Sequence, residues 1–130
     1  MLGSLFGDLC AGSVPVSEDC WEISRFVTCP PRVEGTSVLK LHRLLAIALI
    51  EVALLKSIRR YTLVAEPQRV PALLSIGWSV LPLGLPTRCG GESLQALQIL
   101  VDPEILPILR RKTGVTSSVL QFPDQVRVAA

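Results

Sequence analysis

Residues Trp21 to Cys29 (WEISRFVTC) hold a carboxylate and a guanidinium three positions apart in a run of β-branched and aromatic residues. A run of that composition predicts a strand. Side chains alternate along a strand, so Trp21, Ile23, Arg25 and Val27 face one way and Glu22, Ser24, Phe26 and Thr28 the other. Glu22 and Arg25 then lie on opposite faces of a sheet and cannot simply neutralise each other. A charge buried without a partner is costly, and either finds one or shifts its protonation. Two readings follow. On one, this is a central strand that presents a carboxylate base and an anchoring guanidinium at a site. On the other, it is an edge strand with two solvated charges.

Other chemistries find less support. Cys10, Cys20, Cys29 and Cys89 form no C-x-x-C pair, and His42 is the only histidine. A closed zinc site needs four converging ligands, so no metal site is expected and the cysteines read as free thiols packed as small apolar groups. His42 falls on a predicted helix with no assignable partner for a Ser-His-Asp set. Lys and Arg number 13 and Asp and Glu 11, a net charge of +2. That balance makes no case for nucleic acid, which needs a concentrated basic face. A chain that is 49% hydrophobic and 18% charged is not intrinsically disordered. Its 130 residues predict one domain.

The elements that would position the site follow from periodicity and punctuation. Leu2, Leu5, Phe6 and Leu9 have helical spacing near an N-terminus that lacks a basic leader region and carries Asp8. It makes a poor export signal, so the expected compartment is the cytosol. Thr36 or Ser37 is an N-cap for a long helix to about Ile58, with Leu41, Leu44, Leu45, Ala48, Val52 and Leu55 at helical spacing. Its middle is apolar all round and should be covered on most sides. The run Leu44 to Leu55, broken by Glu51, is too short for a membrane span of about 20 residues. Tyr61 to Ala65 predicts a strand, and Val70 to Leu74 a short helix stopped at Gly77. Trp78 to Leu83 and Leu94 to Val101 predict two more strands around a turn-rich stretch, Gly84 to Gly91. Asp102-Pro103-Glu104 starts a helix that ends at Arg110, Arg111 and Lys112, with Pro107 expected to perturb its first turn. The order predicts an α/β chain with a mixed sheet flanked by helices.

Trp21-Glu22-Ile23-Ser24-Arg25-Phe26 resembles the W-E-aliphatic-S-R-F element of the acyl-homoserine lactone synthases. The opening MLGSLFGDLCAG is similar to the family's segment just upstream of that element. Leu74 to Pro86 (LSIGWSVLPLGLP) is similar to its helix-end, Gly-Trp and L-G-x-P stretch. Ser93 to Val101 with the acid-capped helix fits its closing strand and helix. The family also has an N-terminal R-x-x-x-F element with tryptophan, and an acidic E-x-D-x-(F/Y)-D element. Neither occurs here. The resemblance therefore implies the C-terminal portion of a synthase, begun at an internal methionine through a misplaced start or a truncation.

That resemblance implies an N-acetyltransferase-like fold lacking its N-terminal part. It also implies transfer of an acyl group from acyl carrier protein or acyl-CoA to the amine of S-adenosylmethionine, a substrate rather than a cofactor, followed by lactone closure. Glu22 takes the position of the base and Arg25 that of the motif arginine; Phe26 would wall the acyl site. Leu45, Leu49, Leu63, Ala65 and Leu74 are candidates for an acyl tunnel, though each reads more readily as plain core than as a ligand contact. Ala65-Glu66 stands where some relatives place a threonine that binds a 3-oxo group. Lys40, Arg43, Lys56, Arg59 and Arg60 could dock an acidic carrier protein, or serve as solvated helix charges. No (Q/R)-x-x-G-x-(G/A) pyrophosphate loop is present; Gly90-Gly91 reads as a hairpin turn. A remnant that binds acyl chains or carrier protein without catalysis, and an unrelated acetyltransferase-like enzyme, stay open as alternatives.

Overall fold

The computed structural model describes residues 9–12, 17–24 and 37–121. Arg25, Phe26 and Cys29, and the helical spacing expected over Leu2 to Phe6, lie outside these residues.

Eight elements follow one another: β1 (Cys20–Glu22), α1 (Val38–Lys56), β2 (Arg60–Ala65), α2 (Val70–Ile76), β3 (Ser79–Pro82), β4 (Thr87–Cys89), β5 (Glu92–Leu100) and α3 (Ile105–Thr113). A 3-10 turn, Pro67–Arg69, joins β2 to α2. The sheet is mixed, in the order β1-β2-β5-β3. β1 runs parallel to β2, and β5 runs antiparallel to β2, β3 and β4. Among the described residues β1 pairs with β2 alone and stands at the end of this order, the place of the edge-strand reading and not of the central-strand one. β4 was not expected. Thr87–Cys89 turns back on β5 through Gly90 and Gly91, whose φ values of 57° and 85° are those of a two-residue hairpin with both central residues left-handed.

Two cores result from the alternation of β2 and β5. Tyr61, Leu63, Leu97 and Ile99 face α1, α2 and α3, together with Ile47, Ile50, Ile76 and Leu109. On the other face Ala96 packs with Leu9, and Cys10, Val64, Leu83, Cys89 and Leu94 surround them. Leu9–Ala11 is strapped there by Ala11 N–H donating to the Leu83 carbonyl at 2.8 Å. Gly84 makes the strap possible: a Cβ at 84 would stand 1.9 Å from the Leu9 carbonyl oxygen.

α1 starts as expected. Ser37 is its N-cap and accepts a hydrogen bond from the Lys40 N–H at 3.1 Å. It ends at Lys56 rather than Ile58, through Ser57 in the left-handed conformation (φ 58°). Its buried face carries Ala46, Ile47, Ile50, Glu51 and Ala53. Leu55, placed by spacing on the core stripe, is 62% exposed, and its neighbour Leu54 is exposed too. A helix that is apolar all round has no preferred face in its sequence, so packing alone made the choice. Pro107 perturbs nothing. α3 begins at Ile105, so the proline falls in the first turn, where an N–H has no intrahelical acceptor to lose. Asp102 prepares that start, accepting from the Glu104 N–H with its carboxylate and from the Ile105 N–H with its carbonyl, both at 3.0 Å.

Tyr61 is buried and donates its hydroxyl to the Leu49 carbonyl at 2.6 Å. Burial pushes its phenol up to about 12, from an ordinary value near 10. Between these values the unfolded chain gives up the phenol proton and the folded chain keeps it. The unfolded state then binds fewer protons, so this residue's stabilisation is complete below pH ~10 and is lost as pH rises towards ~12. Melting temperatures measured from pH 8 to 12 should fall more steeply for the wild type than for Tyr61→Phe. Parallel curves would contradict this.

Candidate functional site

β1 is fixed to β2 at the residue just before it, Asp19. The N–H groups of Arg59 and Arg60 donate to the Asp19 carbonyl at 2.7 and 3.3 Å, and the Arg59 guanidinium lies 3.6 Å from the Asp19 carboxylate. A hydrogen bond from the Ser17 hydroxyl, with Arg59 as a lesser cause, holds the Asp19 carboxyl below the usual carboxylate range. Register then pairs Cys20 with Arg60, Trp21 with Tyr61 and Glu22 with Thr62, and Ile23 N–H donates to the Thr62 carbonyl at 2.8 Å. Burial pushes the Cys20 thiol up, with Arg60 opposing.

Paired residues point to the same side of a sheet. Glu22 therefore shares its face with Thr62, Gln98 and Leu81 in one row, beside Cys20, Arg60 and Leu100 in the next. Arg60 Nη1 donates to Gln98 Oε1 at 3.4 Å. Glu22 is exposed at the edge of this polar face, and Thr62 is buried beside it. A carboxylate so placed can accept a proton from a substrate amine, directly or through water.

A cavity of about 310 Å³ opens at the far end of β2. Leu63, Val64 and Ala65 of β2, Leu94 of β5, His42 of α1 and Ala72 and Leu73 of α2 line it, with Glu66 and Arg69 at the 3-10 turn. Both faces of β2 contribute: Val64 is on Glu22's side, Leu63 and Ala65 on the helix side. Thr62 and Val64 are one strand repeat apart, roughly 7 Å, and neighbouring strands lie about 5 Å apart. Glu22 thus stands beside the cavity and does not line it. Its walls are mainly apolar. Arg69 and Glu66 form an ion pair at 3.9 Å, and Gln68 also donates to the Glu66 carboxylate.

Of the acyl-tunnel candidates, the structure brings Leu63 and Ala65 together in this cavity. Leu45 and Leu49 are half-buried on α1 and do not line it. Leu74 is 52% exposed and outside it; its neighbour Leu73 forms the wall instead. The 100° step of a short helix separates adjacent leucines, and seven residues give too little pattern to choose between them. The basic residues do not gather. Arg43 donates to the carbonyls of Ser75 and Ile76 at the C-terminus of α2, at 3.2 and 3.3 Å. Arg59 and Arg60 are engaged at the β1–β2 junction, and Lys40 and Lys56 stand roughly 24 Å apart along α1. Among the described residues, no group of three or more His, Cys, Asp or Glu side chains is placed to hold a metal, and no helix is long and apolar enough to cross a membrane.

No protein-family model matches the chain. Solved structures do. The CoA-dependent acyl-homoserine lactone synthase BjaI, determined with SAM and isopentyl-CoA, superposes with a TM-score of 0.81 over 94% of this chain at 27% identity. The chain has the fold of the acyl-homoserine lactone synthases. MesI, a second CoA-dependent acyl-homoserine lactone synthase, matches 92% of it with a TM-score of 0.75 and 25% identity. The AHL synthase LasI shares the fold, with a TM-score of 0.70 and 21% identity over 94% of the chain. The chain spans 56% of the length of BjaI, 59% of MesI and 60% of LasI. The mixed sheet flanked by helices is thus the acetyltransferase-like sheet of these acyl-homoserine lactone synthases, in part. BjaI was also solved with MTA.

One buried polar residue escaped the sequence reading. Glu51 is 7% exposed in the middle of α1. Its carboxylate lies 3.4 Å from Arg110 Nη2 on α3, and accepts from the Ser118 hydroxyl at 2.5 Å and the Val119 N–H at 3.3 Å. The signal was available: a single acid inside an apolar helical run must find partners.

Proposed function

We propose that this chain is the C-terminal, acyl-transfer portion of an acyl-homoserine lactone synthase. The observation that carries the reading is the superposition on BjaI over nearly the whole chain, with Trp21 and Glu22 standing on the strand that joins β2. In the reaction, the neutral amine of S-adenosylmethionine attacks the carbonyl of an acyl thioester. A C–N bond forms, the C–S bond breaks and the carrier thiol leaves. Glu22 takes the proton that the ammonium must lose before it can attack. The methionine carboxylate then attacks its own γ-carbon. The ring C–O bond forms, the sulfonium C–S bond breaks and methylthioadenosine leaves. Arg25 holds carboxylates of the N-terminal portion or of the substrate, a task suited to its planar fork. The resemblance gives Phe26 a part in walling the acyl site, and Leu63 and Ala65 line the cavity proposed for it. An acyl-CoA donor is favoured over acyl carrier protein: BjaI and MesI are CoA-dependent, and the basic residues of α1 form no single docking patch.

The test is product analysis by mass spectrometry with S-adenosylmethionine and acyl-CoA. A protein in which this chain is preceded by an in-frame N-terminal portion should form N-acyl-homoserine lactone and methylthioadenosine in equal amounts. The 130-residue chain alone should form neither. Acyl binding without lactone from the extended protein would favour the non-catalytic acyl-binding reading.

A further inference from the structure

We infer that Arg43 is a positioning residue for the acyl-donor site: its guanidinium moors the C-terminus of α2 to α1, and so fixes the helix that walls the cavity at the end of β2. The inference rests on reading that cavity as the donor site, and adds a residue that does not line it. A helix leaves its last four carbonyls without an intrahelical partner. In α2 these belong to Leu73, Leu74, Ser75 and Ile76, and each finds a donor. Leu73 accepts from the Trp78 indole N–H at 3.1 Å. Leu74 accepts from the Gly77 N–H at 3.2 Å, with Gly77 in the left-handed conformation that closes a helix. Ser75 and Ile76 accept from Nη2 and Nε of one guanidinium, that of Arg43. The first two bonds are local to α2 and the residues just after it. Among the described residues, the Arg43 bonds are the ones that tie this helix end to α1. A fork that reaches two adjacent carbonyls fixes the rotation of the helix as well as its distance. The wall residues Ala72 and Leu73 stand about one turn before the anchored end. His42, Arg43's neighbour on α1, also lines the cavity. Two adjacent residues of α1 thus supply part of the wall and set its separation from α2. The other end of α2 has no comparable hold: Arg69, its N-cap, makes no side-chain cap, and the ion pair of Arg69 with Glu66 is solvent-exposed. A seven-residue helix has little stability of its own, so its place depends on the anchored end.

The experiment is calorimetric titration of the 130-residue chain with S-octanoyl-N-acetylcysteamine, at a temperature where every variant is fully folded. The probe carries no charge, so loss of a cation does not by itself weaken it. Arg43→Met should lower its affinity about tenfold, the order expected when hydrogen bonds from a charged group are lost. Arg43→Lys keeps the charge and the aliphatic stem but has no fork, and should lose about threefold; it also carries the test should the methionine variant not fold. Arg111→Met, the same change at an exposed position of α3, should bind as the wild type does. Hydrogen exchange read by mass spectrometry should be at least tenfold faster over Val70–Ile76 in Arg43→Met, with β5 unchanged. Wild-type affinity in the Arg43 variants would overturn the inference. So would exchange that quickens equally in α2 and β5, the mark of a residue that only stabilises the fold. A wild-type chain that bound no thioester would remove the donor-site reading and the inference with it, whereas binding that ignores residue 43 would remove the inference alone.

Discussion

Glu22→Gln, in a protein restored with its N-terminal portion, should lower the initial rate of carrier-thiol release by about 10²–10⁴, the usual loss when a general base is removed. Glutamine is nearly isosteric, and its amide cannot accept the amine proton. The amide oxygen still accepts a hydrogen bond, so the KM for S-adenosylmethionine should change much less than kcat. The melting temperature should change little: glutamine keeps the size and an acceptor oxygen of Glu22, and β1 is held by backbone bonds to β2. Arg25→Lys should be more damaging than its conserved charge suggests, since lysine has no bidentate fork. Near-normal turnover by Glu22→Gln at unchanged melting temperature would remove Glu22 as the base and move the search to the N-terminal portion or to water.

The second large effect concerns stability. Glu51→Ala removes in one step the ion pair to Arg110 and the acceptors of Ser118 and Val119. Breaking a buried pair from one side costs about 3–5 kcal/mol. The lower end applies, because the Arg110 side chain keeps 31% of its exposure and can recover water. Denaturant unfolding should show a loss of about 3 kcal/mol for Glu51→Ala. Glu51→Gln should lose less, since it can still accept from Ser118 or Val119. A double-mutant cycle with Arg110→Met should return a coupling above 0.5 kcal/mol. A Glu51→Ala variant within 0.5 kcal/mol of wild type would mean that the carboxylate clasps nothing of energetic weight.

What could be read in advance was local. Ser37, Gly77 and the Gly90-Gly91 pair announced themselves because each fills a backbone requirement that few residues meet. The strand Tyr61 to Ala65 was legible because its apolar residues are short, β-rich and bounded by Arg60 and Glu66-Pro67. What stayed hidden was long-range. No periodicity could choose the buried face of α1, and no pattern on α2 could separate Leu73 from Leu74. Thr87–Cys89 has no apolar signature of its own and is a strand only because β5 is long enough to pair with it after β3 has finished. At the site, residue type and alternation gave Glu22 its face. They could not show that a cavity lies beyond its strand, because that cavity is made by α1, the 3-10 turn and α2 converging on the end of β2.

The nine residues of β5 are the hub of three pairings, and this orders assembly in time. Its hairpin with β4 closes across two glycines, and β3 can add as soon as the short Leu83–Pro86 loop folds back. β2 adds next over six register pairs. β1 meets β2 only after the whole of α1 and its flanking segments have been looped out, and is rewarded with three register pairs. Closing a long loop for few contacts is slow and weakly compensated. The strand that carries Glu22 should therefore be the last to dock and the first to open, and its Ile23 amide should exchange with solvent well before the amides of β5. Among the described residues, the chemical group at the centre of the proposed reaction sits on a strand held to a single neighbour by three register pairs. Whatever packs against β1 from outside these residues would set how long that group stays in place.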